Sequence, residues 1–257
     1  MPVDGLSHPN IRFYYKGIKG LVAGEQSGLP AGTGTRRTAN LLAVARTVAA
    51  RDASALPAPL TGAEASVAGL PLAFGPEGWP DALVPDDDDR LAARLVHAAL
   101  AHATARPFKA SGFWTVLVDT ARAVGPASRV TARMERLTDR LDRFPLDLAE
   151  ACDGAGTYAD EAVPFALAMF ARNPDLVEAT LLSAINAGGD TATVGALVGA
   201  LLGARHGAEA FPAEWTDGLL ARPDVQTAAE ALGVADTRRE TTDVLVDRQK
   251  ADNPLGR

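Results

Sequence analysis

The stretch from Asn186 to Gly207 reads NAGGDTATVGALVGALLGARHG and is the part of the chain that decides the fold. Gly195, Gly199 and Gly203 recur every fourth residue within an apolar run, which places them along one face of a helix. Glycine costs a helix interior up to about 1 kcal/mol relative to alanine, so this spacing indicates that another backbone approaches closely. We therefore predict a helix that is buried on several sides, with the helix of residues 16–28 as its partner.

The start of this helix carries a polar cluster that consists of Gly188, Gly189, Asp190, Thr191 and Thr193. The two glycines permit backbone angles that a Cβ forbids. In a structural interpretation, Asp190 or a threonine is the N-cap of a core helix, and the residues alone favour this interpretation. In a functional interpretation, the helix start holds a polar group against a ligand or an ion.

Composition limits the fold and the partners. The 257 residues are 47% hydrophobic, which predicts one domain over residues 1–257. A formal net charge of −7 and a pI near 5.1 argue against a nucleic-acid or anionic-membrane surface, which leaves small molecules or proteins as partners. The single cysteine, the absence of a signal-like segment after Met1 and the absence of an apolar run of about 18 residues predict a cytoplasmic protein.

The rest of the sequence predicts an all-α fold, because the chain is rich in alanine and arginine and has few segments with the alternating β-branched residues that are typical of strands. We predict helices at 39–51, 91–105, 113–124, 127–144 and 173–185, and a loop at 154–164 that leads into a further helix. The acidic run Asp86–Asp89 is interpreted as a solvated helix start. His97 and His102 are ordinary helix residues, since their spacing of five puts them on different faces. The tail beyond about residue 232 is uninformative.

The glycine helix and its flanks resemble a known family. NAGGDTATVGALVGALLGA, followed by Phe211-Pro-Ala-Glu-Trp215, looks like the C-terminal signature of the ADP-ribosylglycohydrolase family, of the dinitrogenase-reductase-activating glycohydrolase type. The family pattern is Asn-x-Gly-Gly-Asp-Thr-Asp-Thr, then a small-residue helix, then Ile-Pro-x-x-Trp. Asp190, Thr191 and Thr193 match it, whereas Ala192 stands at the second aspartate. The resemblance implies an orthogonal helical bundle and covers roughly residues 15–220.

Two earlier segments strengthen the resemblance. The segment from Lys16 to Pro30 is similar to the family's opening helix, with Glu25 where aspartate is usual. The segment from Gly154 to Pro164 is similar to the family's Gly-x-Gly…Glu-Ser-Val-Pro loop, which contacts the adenosine end of ADP-ribose. The resemblance thus implies a ligand site that is made of Gly154, Gly156, Thr157, Tyr158, Asn186, Gly188, Gly189, Thr191 and Thr193, with Asp190 and Glu25 as candidate catalytic carboxylates.

The family's metal motif is altered in this chain. Thr35-Arg36-Arg37-Thr38 stands where the family has Thr-Asp-Asp-Thr, whose aspartates and threonine bind two hard cations, usually Mg²⁺. Such ions need anionic, oxygen-rich ligands, and two arginines near Asp190 repel divalent ions. We therefore predict no metal and no other cofactor, and we assign Thr35, Arg36, Arg37 and Thr38 to ligand binding.

Three functional readings remain open at this point. In the first, Arg36 and Arg37 replace the metals and hold phosphate or ribose oxygens, and the protein is a glycosidase-type hydrolase of an N-glycosidic bond in an ADP-ribosyl or related nucleotide. In the second, Asp190 pairs with the arginines, and the protein is an inactive, ligand-sensing relative. In the third, the protein is an interaction scaffold that has kept only the fold.

Overall fold

The computed structural model describes residues 36–50, 59–74, 83–104, 108–207, 210–213, 224 and 227–231. Within these residues the chain forms nine α-helices and one 3₁₀ helix, and no strand occurs among them, so the all-α prediction is confirmed. The helices are α1 (Arg36–Ala50), α2 (Gly62–Ala68), α3 (Asp87–Thr104), α4 (Ala110–Val124), α5 (Arg129–Leu137), α6 (Pro145–Ala151), α7 (Ala159–Arg172), α8 (Val177–Asn186) and α9 (Thr191–His206), with the 3₁₀ helix at Leu70–Phe74.

Helix α7 is the centre of the core. Twelve of its fourteen residues are buried, all except Glu161 and Arg172. A helix that is apolar on all sides is stable only when other elements surround it, and α7 packs against α2, α3, α4, α5, α6, α8 and α9. One continuous cluster of buried apolar side chains joins α2 to α9. The bundle is therefore built around α7, which precedes the glycine-rich α9 by two helices in the chain.

Helix α9 buries one broad face and keeps the rest of its surface half-buried. Its fully buried residues include Val194, Leu197, Val198, Leu201 and Leu202, which follow a helical period. This face packs against α7, α8, α3 and α2. The helix thus has several neighbours, as predicted.

The glycine stripe of α9 meets side chains within the described residues. A Cβ on Gly195 would lie 2.9 Å from Cδ1 of Ile185, and one on Gly203 would lie 3.6 Å from Cε2 of Phe211. No described atom lies within 4 Å of a Cβ on Gly199. The helix of residues 16–28, predicted to approach this stripe, lies outside the described residues, so its pairing with α9 stays a prediction.

Helix α1 packs through a second, smaller cluster. Val44 and Val48 contact Leu72 of the 3₁₀ helix and Leu83. A hydrogen bond of 3.2 Å from Asn40 Nδ2 to Glu64 Oε1 adds a polar link to α2. These contacts fix α1 against α2, and α2 in turn reaches the candidate site described below.

The two largest differences from the predicted boundaries lie at the end of α5 and at the start of α7. Residues 127–144 were expected to form one helix, but α5 ends at Leu137 and α6 starts at Pro145. Pro145 disfavours the helical region for Phe144, whose backbone is extended at φ −63° and ψ 151°. The loop expected at 154–164 gives way to α7 at Ala159, so Pro164 lies inside the helix and has no N–H for the carbonyl of Asp160.

None of the described helices is both long and apolar enough to span a lipid bilayer.

Candidate functional site

The candidate site is formed where two loops touch through their backbones. The glycine loop is Asp153–Tyr158, which precedes α7, and the Asp190 turn is Ala187–Asp190, which precedes α9. The Asp190 N–H donates a hydrogen bond of 2.6 Å to the Ala155 carbonyl. Gly189 has φ +74°, and a Cβ there would lie 2.0 Å from the same oxygen. Glycine is therefore required at this position by both conformation and space.

The inside of the glycine loop holds a carboxylate. Glu161 Oε2 accepts a hydrogen bond of 3.2 Å from the Gly156 N–H. A Cβ on Gly156 would lie 2.4 Å from that oxygen, and one on Gly154 would lie 3.6 Å from it. Gly156 thus makes room for the Glu161 carboxylate, and Gly154 supplies a φ of +130°.

The outside of the glycine loop is bound by a network of arginine and aspartate side chains. Arg133 of α5 pairs with Asp160 of α7, and both are buried, at 8% and 3% exposure. Arg133 also reaches Asp153 Oδ2 from Nη2 at 3.2 Å, and Arg136 Nη1 donates to Asp153 Oδ1 at 3.0 Å. The hydrogen bond from Arg136, together with the positive charges, holds the pKa of Asp153 below its usual value. The network thus keeps a negative charge at the start of the loop.

The exit of the loop is fixed by the first turn of α2. The Thr157 carbonyl accepts a hydrogen bond of 2.9 Å from the Ala63 N–H, and the Gly62 N–H donates to Asp89 Oδ2 at 2.5 Å. Burial raises the pKa of Asp89, despite the hydrogen bond from Gly62. The start of α2 is therefore bonded to the glycine loop, and the start of α3 is bonded to that of α2.

The acidic run before α3 is only partly solvated, contrary to expectation. Asp86–Asp89 do begin α3, since Asp86 Oδ1 accepts from the N–H groups of Asp88 and Asp89. However, Asp88 is half-buried and accepts hydrogen bonds from Ser128 Oγ and from Arg129 Nε. Burial by itself raises the pKa of Asp88, but these hydrogen bonds and the arginine charge outweigh it and leave the pKa lowered. The run therefore ties α3 to both α2 and α5.

Asp190 is the N-cap of α9. Its Oδ1 accepts from the Thr193 N–H at 3.2 Å, and its Oδ2 accepts from Thr193 Oγ1 at 2.8 Å. Thr193 is fully buried, whereas Asp190 is half-buried. This geometry agrees with the structural interpretation of the polar cluster. It also orients the carboxylate, because both oxygens are held by one residue.

The predicted site residues fall into two groups. The members that the structure describes with their side chains lie on the two loops or at the helix ends beside them: Gly154, Gly156, Thr157, Tyr158, Asn186, Gly188, Gly189, Asp190, Thr191 and Thr193. Thr157, Tyr158 and Asn186 are exposed, and Tyr158 is 63% exposed. Glu25 and Thr35 lie outside the described residues. Arg36, Arg37 and Thr38 form the first turn of α1, and only their backbone is described.

The sequence interpretation missed the buried Arg133–Asp160 pair. Arg133 lies on the buried side of α5 beside Val130, Met134 and Leu137. That helical spacing was a usable signal, because an arginine within an apolar face needs a buried partner. Its partner Asp160, 27 residues further along the chain, could not be identified from helical spacing.

The donor set of the described residues does not fit a dinuclear magnesium site. Asp190 and Thr193 supply one carboxylate and one hydroxyl there, and residue 192 is alanine. Within the described part of the chain, no three His, Cys, Asp or Glu side chains come together in an arrangement that could hold a metal. Hard divalent cations require several oxygen ligands, mostly anionic. The described residues therefore supply no magnesium site by themselves.

Cys152, which lies just before the glycine loop, is not a nucleophile. Its side chain is fully buried, and burial raises the pKa of its thiol to about 12. A thiol with this pKa is protonated near neutral pH and reacts poorly.

Comparison with known proteins gives one family. The model of the ADP-ribosylglycohydrolase family matches residues 79–242. The matched residues include both loops of the candidate site, whereas positions 25 and 35–38 lie before them. No curated protein matches the chain.

Proposed function

The matched residues span more than half of the chain, which therefore belongs to the ADP-ribosylglycohydrolase family, and on this premise we propose that it binds an ADP-ribosyl or related nucleotide between the glycine loop and the Asp190 turn. The observation that carries the proposal is the contact between the Asp190 N–H and the Ala155 carbonyl. It joins two glycine-containing loops at the starts of α7 and α9. Helix starts that face one place favour a ligand that carries negative charge.

Tyr158 is the side chain best placed to select a nucleotide. Tyr158 is 63% exposed at the end of the glycine loop, although tyrosine is on average intermediate in burial. An exposed aromatic ring offers a face for stacking on a purine, an interaction worth roughly 1–3 kcal/mol per base. The neighbouring Thr157 hydroxyl is also exposed and is available to the ribose.

The phosphates are assigned to the two arginines at the start of α1. Helix α1 packs against α2, and the first turn of α2 bonds to Thr157 of the glycine loop. This chain of contacts supports a place for Arg36 and Arg37 on the same side as the glycine loop. Guanidinium groups bind phosphate oxygens through paired N–H donors and need no metal. Glu25, Thr35 and Thr38 belong to the same proposed surface.

The proposed reaction is hydrolysis of the N-glycosidic bond without a metal. The bond between the anomeric carbon and nitrogen breaks, water adds its hydroxyl to the carbon, and its proton goes to the leaving nitrogen. The Asp190 carboxylate, oriented by Thr193, either stabilises the positive charge that develops on the ribose or orients the water, as carboxylates do in glycoside hydrolysis. Glu25 is the second candidate for this role. The single cysteine, which cannot form an internal disulfide, supports a cytoplasmic site of action.

A second function, ligand sensing without catalysis, is favoured by one specific observation. Both Asp190 oxygens already accept hydrogen bonds from Thr193, and the Gly156 N–H is bonded to Glu161. Polar groups that already form hydrogen bonds within the protein are less able to form hydrogen bonds with a substrate. In this alternative the two loops bind the nucleotide and release it unchanged.

The test is calorimetric titration of ADP-ribose and of NAD into the protein, once with Mg²⁺ and once with EDTA. We expect equal affinity in both buffers, loss of binding in Arg36→Ala/Arg37→Ala, and about a tenfold loss in Tyr158→Ala, the size of one stacked base. Phe144→Ala is the matched control, because that ring is 75% exposed on the α5–α6 connection. Binding that requires Mg²⁺ would overturn the metal-free site, and absence of binding would favour a scaffold that has kept only the fold.

A further inference from the structure

We propose that Arg133 is a positioning residue that sets the shape of the glycine loop by bridging its two ends. The identity of the ligand that the loop binds rests on the proposed function, whereas the bridge that Arg133 forms between the two ends of the loop does not. Arg133 Nε and Nη2 contact Asp153 Oδ2 at 3.3 and 3.2 Å, and Nη1 donates to Asp160 Oδ2. Asp153 is the first residue of the loop, and Asp160 follows its last residue by two positions.

The two carboxylates that Arg133 joins are unlike each other. Asp160 is 3% exposed and belongs to the first turn of α7, which is fixed by the core. Asp153 is exposed and has φ +59°, a left-handed conformation that aspartate adopts only at some cost. Arg133 therefore ties a strained, exposed residue to a buried anchor across the base of the loop.

The loop needs such a tie because its own residues do not hold it in shape. Two of its six residues are glycines, which lose more conformational entropy on ordering than any other residue. A fixed distance between its ends reduces the number of conformations available to the residues between them. The rigid fork of a guanidinium can serve two carboxylates at once, whereas the single ammonium of lysine serves them less well.

The neighbouring arginines each hold one end. Arg136 contacts Asp153 Oδ1 and the Ala151 carbonyl, both at or before the start of the loop. Arg129 approaches Asp160 Oδ2 at 3.4 Å, beyond the end of the loop, and also binds Asp88 of α3. Of Arg129, Arg133 and Arg136, Arg133 is the one that pairs with both Asp153 and Asp160. Its removal should therefore loosen the loop in a way that removal of Arg136 does not.

The test is hydrogen exchange of the backbone amides of residues 154–158 in the full-length protein without ligand, combined with thermal unfolding and titration of ADP-ribose. The reporters are the Gly154 N–H, bonded to the Ala149 carbonyl, and the Gly156 N–H, bonded to Glu161. The test variants are Arg133→Lys, which keeps a cation beside Asp160, and Asp153→Gly, which keeps the left-handed conformation but removes the tie. Asp153→Asn retains an acceptor and tolerance of positive φ. Arg122→Lys, in an exposed pair with Glu135, is the matched control.

We expect Arg133→Lys and Asp153→Gly to accelerate exchange in the loop about tenfold, a local opening effect, while exchange in α7 and the melting temperature stay near wild type. Asp153→Asn should restore most of the protection, and Arg122→Lys should change nothing. Unchanged loop exchange in Asp153→Gly would overturn the proposal, and so would faster exchange throughout the protein, which indicates a role in stability alone.

The ligand titration separates this inference from the proposed function. If both hold, ADP-ribose affinity falls together with loop protection in Arg133→Lys and Asp153→Gly. If the loop loosens but the wild-type protein does not bind ADP-ribose, the bridge is supported and the proposed ligand is wrong. If the loop loosens and ADP-ribose affinity is unchanged, the bridge shapes a loop that does not bind this nucleotide.

Discussion

The two loops at the candidate site are held in place by different kinds of interaction. The glycine loop is bound by charged side chains, with Arg133 and Arg136 outside it and Glu161 inside it. The Asp190 turn is held by backbone conformation, with Gly188 and Gly189 at φ +89° and +74°, and by the cap to Thr193. The backbone hydrogen bond from Asp190 to Ala155 couples the two.

This difference predicts how each loop responds to change. A loop that depends on charged side chains is sensitive to the loss of a single charge, because the partner charge is then left without compensation. A turn that depends on glycine is insensitive to charge but cannot tolerate a Cβ. Substitutions in the two loops should therefore destabilise the protein for different reasons.

Arg133→Met should have the largest effect on stability. It leaves the buried Asp160 carboxylate without its main partner, and breaking a buried ion pair typically costs about 3–5 kcal/mol. Urea unfolding measures this loss. The double variant Arg133→Met/Asp160→Asn removes both charges and should recover most of the stability. Equal losses in the single and double variants would contradict an ion-pair origin.

Gly189→Ala should have the next largest effect, and Gly188→Ala is its matched control. Both positions have positive φ, which costs a residue with a Cβ about 1–3 kcal/mol. At Gly189 the new Cβ also meets the Ala155 carbonyl at 2.0 Å, whereas no described atom lies within 4 Å of it at Gly188. We expect losses of about 3 kcal/mol or more and about 1 kcal/mol, respectively, in urea unfolding. Similar losses at both positions would show that the close approach does not matter.

Much of the fold could be predicted from local patterns. The apolar stripes of α3 and α4 gave their positions to within a few residues, since amphipathic spacing is a property of one segment. Helix α7 lacks such a stripe because it is buried on every side, and its start at Ala159 was missed because the loop was expected to continue to Pro164, which lies inside the helix. The predicted helix 127–144 stopped correctly before Pro145, but the end of α5 at Leu137 was missed because no proline or glycine marks it.

The candidate site could be predicted less completely. Residue types and family resemblance indicated the glycine loop and the Asp190 turn, and the structure brings the two together through Ala155. The carboxylate of Glu161 inside the loop and the Arg133 bridge across its base depend on tertiary contacts, which no periodic pattern contains. The close approach of the Glu161 carboxylate to Gly156 was therefore visible only in the structure.

Acid should destabilise the packing of α3 against α2 through His97, which lies outside both loops. His97 Nε2 is 2.8 Å from the carbonyl oxygen of Gly69, at the end of α2. Burial lowers the pKa of His97 below its ordinary 6.5 and outweighs this hydrogen bond. The unfolded chain then binds a proton near pH 6.5 while the folded protein does not, so stability falls as the pH drops below that value, by at most about 1.4 kcal/mol per pH unit. Urea unfolding across this range measures the slope.

The matched variants for this effect are His97→Gln and His102→Gln, both within α3. His97→Gln should flatten the dependence of stability on pH below 6.5, because it removes the buried ionisable group. His102→Gln should leave that dependence in place. A slope that survives in His97→Gln would assign the acid sensitivity to other groups.

Substitutions of Asp190 should have the smallest effect on stability. They separate the role of Asp190 as the N-cap of α9 from its proposed role in hydrolysis. Asp190→Ala removes both hydrogen bonds to Thr193 and should cost about 1 kcal/mol, the usual value of an N-cap. Asp190→Asn keeps a capping oxygen and should cost only a few tenths of a kcal/mol. Because it also removes the negative charge, it should abolish hydrolysis of an N-glycosidic ADP-ribosyl substrate while ADP-ribose binding and the melting temperature stay near wild type. Full turnover by Asp190→Asn would restrict Asp190 to capping α9 and leave Glu25 as the candidate carboxylate.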